Sequence, residues 1–257
     1  MFTAAVFQDW VQLPSGLFVS NGRMQKDGKM LSLYGALTMD TAAFNREAAK
    51  YDVRMDESDA PIDRLVKYSV FLARRDNDSS AIPTNREYVD ILLDTAAAKA
   101  KSAKPLASFY GTLTDRTWDV VRDVLEFQEN LPKGKYKATV LRFNEDGELE
   151  PVDDIVVPGN GWTRALGARH GYPIESSEDT CVVENLDNPN LSGRNVKGYW
   201  YVGSDPVGQQ RLTLRHPCLG DKWLLRAIAS RGRDCSDEGV GVIRLRRALG
   251  QAPRAQP

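Results

Sequence analysis

Cysteine, histidine and long apolar runs are all scarce in this 257-residue chain. The three cysteines, at positions 181, 218 and 235, are an odd number, which favours a reducing compartment over a disulfide framework. No window reaches the roughly 18 consecutive apolar residues that cross a bilayer. The segment Met1–Gln12 lacks the basic and long apolar parts of a secretory signal. We therefore expect a globular, soluble, cytoplasmic protein with no membrane partner.

The chain also lacks the common catalytic motifs. It contains no phosphate-binding G-x-x-x-x-G-K-[ST], no G-x-S-x-G nucleophile turn and no zinc-protease H-E-x-x-H. Two histidines leave few candidates for a general base, although cleavage of RNA without metal needs only a base and nearby cations. An enzyme is thus the less favoured class, with His170 and His216 as the weak catalytic candidates of a metal-free nuclease.

Every histidine and cysteine falls within residues 170–235, and these residue types bind zinc. A site would draw on Cys181, His216, Cys218 and Cys235. The chain has no C-x-x-C, and His216-Pro217-Cys218 has an unusual spacing for zinc ligands. We predict no cofactor, with zinc as the alternative.

Residues 1–133 are predicted to form a β-hairpin followed by helices. Strand-like runs at 17–24 and 29–37 flank Asp27-Gly28, a pair suited to a tight hairpin turn. Apolar residues at helical spacing predict helices near 44–55, 62–72, 84–100 and 114–128. Thr84 and Glu87 form a capping box, the strongest start signal of the four helices.

Residues 134–257 are predicted to be mainly antiparallel sheet, which makes the fold α+β. Strands are expected at 137–143, 148–157, 181–185, 196–202, 211–216 and 240–246, with a short helix at 219–231. The turn at Pro132-Lys133-Gly134 divides the chain into domains 1–133 and 134–257. The alternative is one continuous domain, in which the N-terminal hairpin joins the C-terminal sheet.

Charge is divided unevenly along the chain. From Leu191 onward there are twelve Lys or Arg against five Asp or Glu, whereas residues 1–190 carry twenty-two against thirty. The net charge of −1 therefore conceals a basic end and an acidic remainder. A basic end that also contains clustered tyrosine and tryptophan is typical of a surface that binds phosphates and unstacked bases.

Strand alternation predicts a cationic face on the basic strands. Arg211 and Arg215 share one side of their strand while Leu212 and Leu214 share the other, and Arg244 and Arg246 alternate with apolar residues in the same way. The Gly-rich segment 231–241 adds arginines beside glycines that let a backbone approach phosphate, although glycines required by a hairpin turn explain that segment equally. The predicted nucleic-acid-binding residues are Arg211, Arg215, Arg231, Arg233, Arg244, Arg246 and Arg247 for phosphates, with Tyr199, Trp200 and Tyr201 for stacking on bases.

These features favour a nucleic-acid-binding subunit of a ribonucleoprotein-type assembly. A sheet with aromatic residues suits RNA or a single strand better than a duplex, because no basic recognition helix is predicted. The acidic helices would contact neighbouring protein subunits. A structural or assembly protein, for example a component of a viral particle, is the alternative because it would use the same charge complementarity between subunits.

Overall fold

The computed structural model describes residues 10–13, 16–26, 29–100, 118–163, 169–173, 176–177, 181–183, 194–218 and 224–246. Within these residues the chain forms an α+β fold, as predicted: a small N-terminal sheet, four α-helices and a large, mostly antiparallel sheet. No helix among them combines the length and the apolar character that crossing a membrane requires.

Among the described residues, the N-terminal sheet contains the last strand as well as the first two. Strands β1 (Trp10–Gln12) and β2 (Phe18–Arg23) pair antiparallel, and β15 (Ile243–Arg246) pairs with the other edge of β2. The predicted hairpin is shorter than expected: β3 (Gln25–Lys26) pairs with β4 (Lys29–Met30). Its turn, residues 27 and 28, lies outside the described residues. The predicted partner strand 29–37 is wrong beyond Met30, because Ser32 caps a helix there.

Four helices follow, and three of them were predicted. They are α1 (Leu33–Leu37), α2 (Thr41–Ala48), α3 (Pro61–Arg75) and α4 (Asn85–Ala100), with a short 3₁₀ turn at Ala49–Tyr51 after α2. The capping box of α4 is confirmed. The backbone N–H of Thr84 donates to Glu87 Oε2 over 2.8 Å, and that of Glu87 donates to Thr84 Oγ1 over 3.1 Å.

Ten strands of the described residues form the large sheet: β5 (Trp118–Leu131), β6 (Lys135–Phe143), β7 (Leu149–Pro158), β8 (Gly161–Thr163), β9 (Ser176–Ser177), β10 (Cys181–Val183), β11 (Arg194–Tyr201), β12 (Gln210–Cys218), β13 (Leu224–Gly232) and β14 (Val240–Gly241). Their order is β7-β6-β5-β12-β13-β11-β8-β9, with β10 paired to β11 and β14 paired to β5. The β11–β13 and β5–β14 pairs are parallel and the other pairs are antiparallel.

Two predicted helices are strands. The helix expected over 114–128 is wrong, because Trp118–Leu131 forms β5 in the middle of the sheet. Both faces of β5 are covered, so its apolar residues follow one another instead of alternating. The short helix expected over 219–231 is also wrong, because Leu224–Gly232 forms β13.

Helices cover both faces of the large sheet around β5. On the helical face, defined by Val120, Val124, Leu212 and Leu214, the sheet packs against α1 to α3. On the opposite face, which we call the α4 face, Val121 packs with α4 and the N-terminal sheet, while Leu125 and Phe127 pack with Tyr172 and Trp200. The turn after Leu131 joins β5 to β6 within this one sheet. The division into two domains at residue 133 stays a prediction.

Candidate nucleic-acid interface

Arg215, which strand alternation assigned to the predicted phosphate-binding face, is buried. Its side chain lies on the α4 face and is 0% exposed. Nε donates to Asn85 Oδ1 over 2.8 Å and a terminal nitrogen donates to the carbonyl of Gly171 over 2.6 Å. Burial lowers the pKa of Arg215 to about 10, which still leaves the guanidinium charged at neutral pH. Arg215 therefore binds protein groups and is not available to a phosphate.

Asn85 and Asp123 extend this buried polar network. Asp123, also 0% exposed, accepts the backbone N–H of Asn85 at the first turn of α4 over 2.7 Å. Its carboxylate also accepts two hydrogen bonds from Arg142, over 2.6 and 3.2 Å. Burial alone would lower the pKa of Arg142, but the charge and hydrogen bonds of Asp123 raise it. The network fixes the start of α4 to strands β5, β6 and β12.

The arginines of the last strand are also held by the protein. Arg244 is 0% exposed and donates to Ser80 Oγ, so its predicted phosphate contact is excluded by burial. Arg246 is partly exposed and stacks over the rings of Trp10 and Phe18, 4.4 and 5.3 Å from their centroids. Arg247 lies outside the described residues.

The arginines around the Gly-rich segment are more accessible. The side chain of Arg231 is 58% exposed, with Asp237 at 4.0 Å. One terminal nitrogen of Arg233 donates to both carboxylate oxygens of Asp63 in α3, over 2.7 and 2.8 Å, and the other donates to Gln210 Oε1. Arg211 donates to the carbonyl of Ser230 over 2.7 Å and is partly exposed. Of this group, Arg231 is the one whose guanidinium is mainly in solvent.

The aromatic run on β11 divides between the two faces of the sheet. Trp200 is 1% exposed on the α4 face, where its indole N–H donates to the carbonyl of Pro158 over 2.8 Å. Stacking of Trp200 on a base is therefore excluded by burial. Tyr199 and Tyr201 lie on the helical face but outside its core among the described residues, and Tyr201 is 37% exposed.

Four side chains on this part of the helical face form what we call the cross-strand row: Tyr199, Arg226, His216 and Trp118. Tyr199 of β11 is in register with Arg226 of β13, and Arg226 is in register with His216 of β12. The rings of His216 and Trp118 lie 5.1 Å apart. Arg226 is exposed and the other three are partly exposed. With strands about 4.8 Å apart, Tyr199 and His216 are separated by about 10 Å.

The two histidines lie on opposite faces of the sheet and do not form one catalytic site. His170 is 4% exposed on the α4 face, in a 3₁₀ turn whose Gly171 accepts from Arg215, and its Nε2 is 3.0 Å from Asp153 Oδ2. His216 is the neighbour of Arg215 in β12 and points to the helical face. Burial therefore keeps His170 out of solvent, and a catalytic role for either histidine stays a prediction.

The structure describes the four residues predicted as possible zinc ligands only in part. Cys181 on β10 and Cys218 on β12 have β11 and β13 between them, which separates their backbones by roughly 14 Å. That distance is too great for both thiolates to bind one ion. Cys235 packs against the core on the helical face. No three His, Cys, Asp or Glu side chains converge within the described part of the chain, and the absence of a cofactor, with zinc as the alternative, stays a prediction.

Arg226 and Trp118 were not among the residues predicted for the site. Both lie in segments that the sequence pattern assigned to helices, where neither would be a neighbour of Tyr199. In a strand over 224–232, Arg226 points to one face while Ala227 and Ala229 point to the other. A charged residue on one face and small apolar residues on the other indicate one exposed and one buried face. Comparison with known protein families, with curated proteins and with solved structures finds no match.

Proposed function

We propose that this protein binds RNA or single-stranded nucleic acid in the cytoplasm, as a subunit of a ribonucleoprotein-type assembly. The observation that carries the proposal is the cross-strand row. It places aromatic rings beside an exposed cation on one face of the sheet, and stacking on aromatic side chains is how sheet-based proteins bind unpaired bases.

The two ends of the cross-strand row differ in charge. Arg226 supplies an exposed guanidinium next to Tyr199, and Tyr201 extends the aromatic surface along β11. At the other end, the backbone N–H of Trp118 donates to Gly239, directly after the exposed carboxylates of Asp237 and Glu238. Those carboxylates repel phosphate. We therefore expect the backbone of the nucleic acid to pass Arg226, with bases stacked on Tyr199 and on His216.

The test is a binding measurement on the purified, nuclease-treated protein with labelled single-stranded RNA across a salt series. The variant Tyr199→Ala/Arg226→Gln removes one stacking ring and one phosphate contact. Stacking contributes about 1–3 kcal/mol per base, so we expect affinity to fall roughly 10- to 100-fold. The slope of log affinity against log salt should decrease by about 0.7, the value for one phosphate contact on a single strand.

The matched control is Tyr34→Ala/Arg54→Gln. Tyr34 is 45% exposed on α1 and the side chain of Arg54 is 81% exposed, so this variant removes the same two residue types from a surface distant in sequence from the row. Equal loss of affinity in both variants, or no RNA binding by the unaltered protein at low salt, would remove the proposal. A duplex RNA of the same length should compete poorly.

The assembly protein remains the second candidate because α1 exposes apolar side chains. Tyr34 and Leu37, 45% and 39% exposed, lie three residues apart on the same helix. If the Tyr34 variant changes the particle size measured by light scattering while RNA binding is absent, this second function replaces the first.

A further inference from the structure

Strand β7 forms one outer edge of the large sheet. Among the described residues β7 pairs only with β6, so one side of its backbone has no neighbouring strand there. A β-bulge opposite Val140 and Leu141, together with Pro151, interrupts the first half of β7, and both features keep a sheet edge from pairing. Residues 154–157 continue as a regular strand without either feature. This second half of β7 is therefore the part that another strand can join.

Backbone hydrogen bonds show which groups of this edge point outward. The N–H of Gly159 donates to the carbonyl of Gly134 over 2.8 Å, and antiparallel strands alternate between hydrogen-bonded and non-hydrogen-bonded pairs. By that alternation, Ile155 and Val157 direct their N–H and C=O groups to β6. The residues that alternate with these two direct theirs away from the sheet.

Pro158 supports this assignment, because proline lacks the N–H that an inward position requires. Its outward carbonyl accepts the indole N–H of Trp200 over 2.8 Å. Asp154 and Val156 are also outward residues, and both are exposed. Their N–H and C=O groups form a template for a strand of a partner, which is how many proteins bind extended peptides.

A pocket of about 360 Å³ lies beside these groups. Its apolar lining comes from Ile155, Val157, Tyr172 and Pro173, and its charged lining from Lys135, Asp153 and Asp154. Residues that face each other in an antiparallel pair project their side chains to the same side of the sheet. A partner residue opposite Ile155 therefore projects its side chain toward this pocket, where the apolar lining favours an aliphatic group.

Charge favours a basic partner over a second copy of this chain. Strand β7 carries three carboxylates and no Lys or Arg. The side chain of Asp154 is 57% exposed, with one oxygen accepting from Thr139 and the other 3.7 Å from Lys137, which is itself 43% exposed. Because so exposed an ion pair is weak, Asp154 can also pair with a cation from a partner. A second β7 would instead add three carboxylates to the edge, and like charges on adjacent strands repel.

We propose that the outer edge of β7 binds an extended basic segment of a partner protein as an added antiparallel strand. The partner residues that face Asp154 and Val156 exchange backbone hydrogen bonds with them. The partner residue between these two places an apolar side chain in the pocket, and the one that faces Asp154 is Lys or Arg. This surface is separate from the cross-strand row, and its occupancy does not require nucleic acid.

The probe is a fluorescent peptide with the core Val-Leu-Lys, in which Val faces Val156, Leu faces Ile155 and Lys faces Asp154. Two control peptides change one feature each: Val-Leu-Glu reverses the charge, and Pro-Leu-Lys removes the N–H that donates to the carbonyl of Val156. We expect fluorescence anisotropy to show saturable binding of one Val-Leu-Lys peptide per chain, with each control at least tenfold weaker. Absence of saturable binding at about 1 mM peptide overturns the proposal, and so does either control peptide that binds as tightly.

Amide hydrogen exchange tests where the peptide binds. The outward amides of Asp154 and Val156 should exchange quickly in the free protein, whereas the amide of Ile155 is directed to β6. The peptide should slow exchange at Asp154 and Val156 at least tenfold and leave Ile155 unchanged. Unchanged exchange at both outward amides overturns the proposal. Slowing without peptide that increases with protein concentration identifies a second copy as the occupant, which also overturns it.

Two variants test the same edge within the protein. Val156→Pro removes an outward N–H, as Pro158 does two residues further on, so β7 should keep its bonds to β6 while peptide affinity falls at least tenfold. Its matched control, Val156→Thr, keeps the N–H and should keep the affinity within about twofold. The thermal transition of each variant checks its folding. Equal peptide affinities for the two variants overturn the assignment.

The second variant, Asp154→Lys, should weaken binding of the Val-Leu-Lys peptide and strengthen binding of Val-Leu-Glu. Loss of folding cannot produce such an exchange of preference. The matched control is Asp56→Lys, because the side chain of Asp56 is also 57% exposed but lies outside this edge. Unchanged peptide preference in Asp154→Lys, or the same exchange of preference in Asp56→Lys, overturns the assignment.

Discussion

Replacing Asp123 with alanine would remove the carboxylate that pairs with Arg142, whose side chain is 17% exposed. The carboxylate is fully buried, pairs with Arg142 through two hydrogen bonds, and also accepts the backbone N–H that begins α4. Removing one partner of a buried ion pair typically costs 3–5 kcal/mol. That is a large part of the roughly 5–15 kcal/mol by which proteins of this kind are stable. At about 2–4 °C per kcal/mol for a chain of this size, the thermal midpoint should fall by roughly 6–20 °C.

The assay is urea unfolding followed by circular dichroism, with Asp56→Ala as the control. Asp56 faces Arg54 at 3.5 Å, and both side chains are more than half exposed, so its loss should change stability by no more than about 0.5 kcal/mol. The double variant Asp123→Ala/Arg142→Met removes the stranded cation, and it should be more stable than the sum of the two single effects predicts. A cost below about 1 kcal/mol for Asp123→Ala would refute the claim that this pair fixes α4 to the sheet.

Two further changes test other features of the interior. Burial, with the charge of Asp123, raises the pKa of Tyr172 well above 10, so above pH 10 the unfolded chain loses a proton that the folded chain keeps. The free energy of unfolding should therefore fall by up to about 1.4 kcal/mol per pH unit above pH 10 from this group. Tyr172→Phe should reduce that pH dependence when urea unfolding is measured between pH 8 and 11. Gly171→Ala should destabilise the protein more than Gly208→Ala. Both glycines have a positive φ, but only at Gly171 would the new Cβ lie against backbone, 3.0 Å from Arg86 Cα. Equal thermal midpoints for the two variants would contradict this prediction.

Local signals predicted the helices well and failed where burial is set by distant residues. The Thr84 and Glu87 capping box depends on residues three positions apart, so the sequence alone reveals it. Strand β5 is different, because its apolar residues face α3 on one side and α4 on the other, and a doubly covered strand has no alternation to detect. An apolar pattern without alternation, such as that of residues 118–128, predicts a helix instead.

The candidate interface shows the same limit. Alternation on β12 correctly separated Arg215 from Leu214, but whether the arginine face is open depends on Asn85, 130 residues away in sequence. Tyr199 was predicted as a stacking residue, whereas its neighbour Arg226 depends on the parallel pairing of β11 with β13, which no local pattern indicates. Amino-acid composition predicted that the interface lies in the basic C-terminal part of the chain, but tertiary contacts decide which residues of that part are accessible.

The pairing of β15 with β2 has a consequence for how the chain is made. Ser20 and Arg244, which meet where these strands pair, are 224 residues apart in sequence. At 5–20 residues per second, a ribosome takes roughly 10–45 s to synthesise the interval between them. During that time β2 carries an unpaired edge, which is a template for pairing with another chain. Nascent chains translated from the same messenger RNA are therefore most prone to exchange their β15 strands before each chain has completed its own fold.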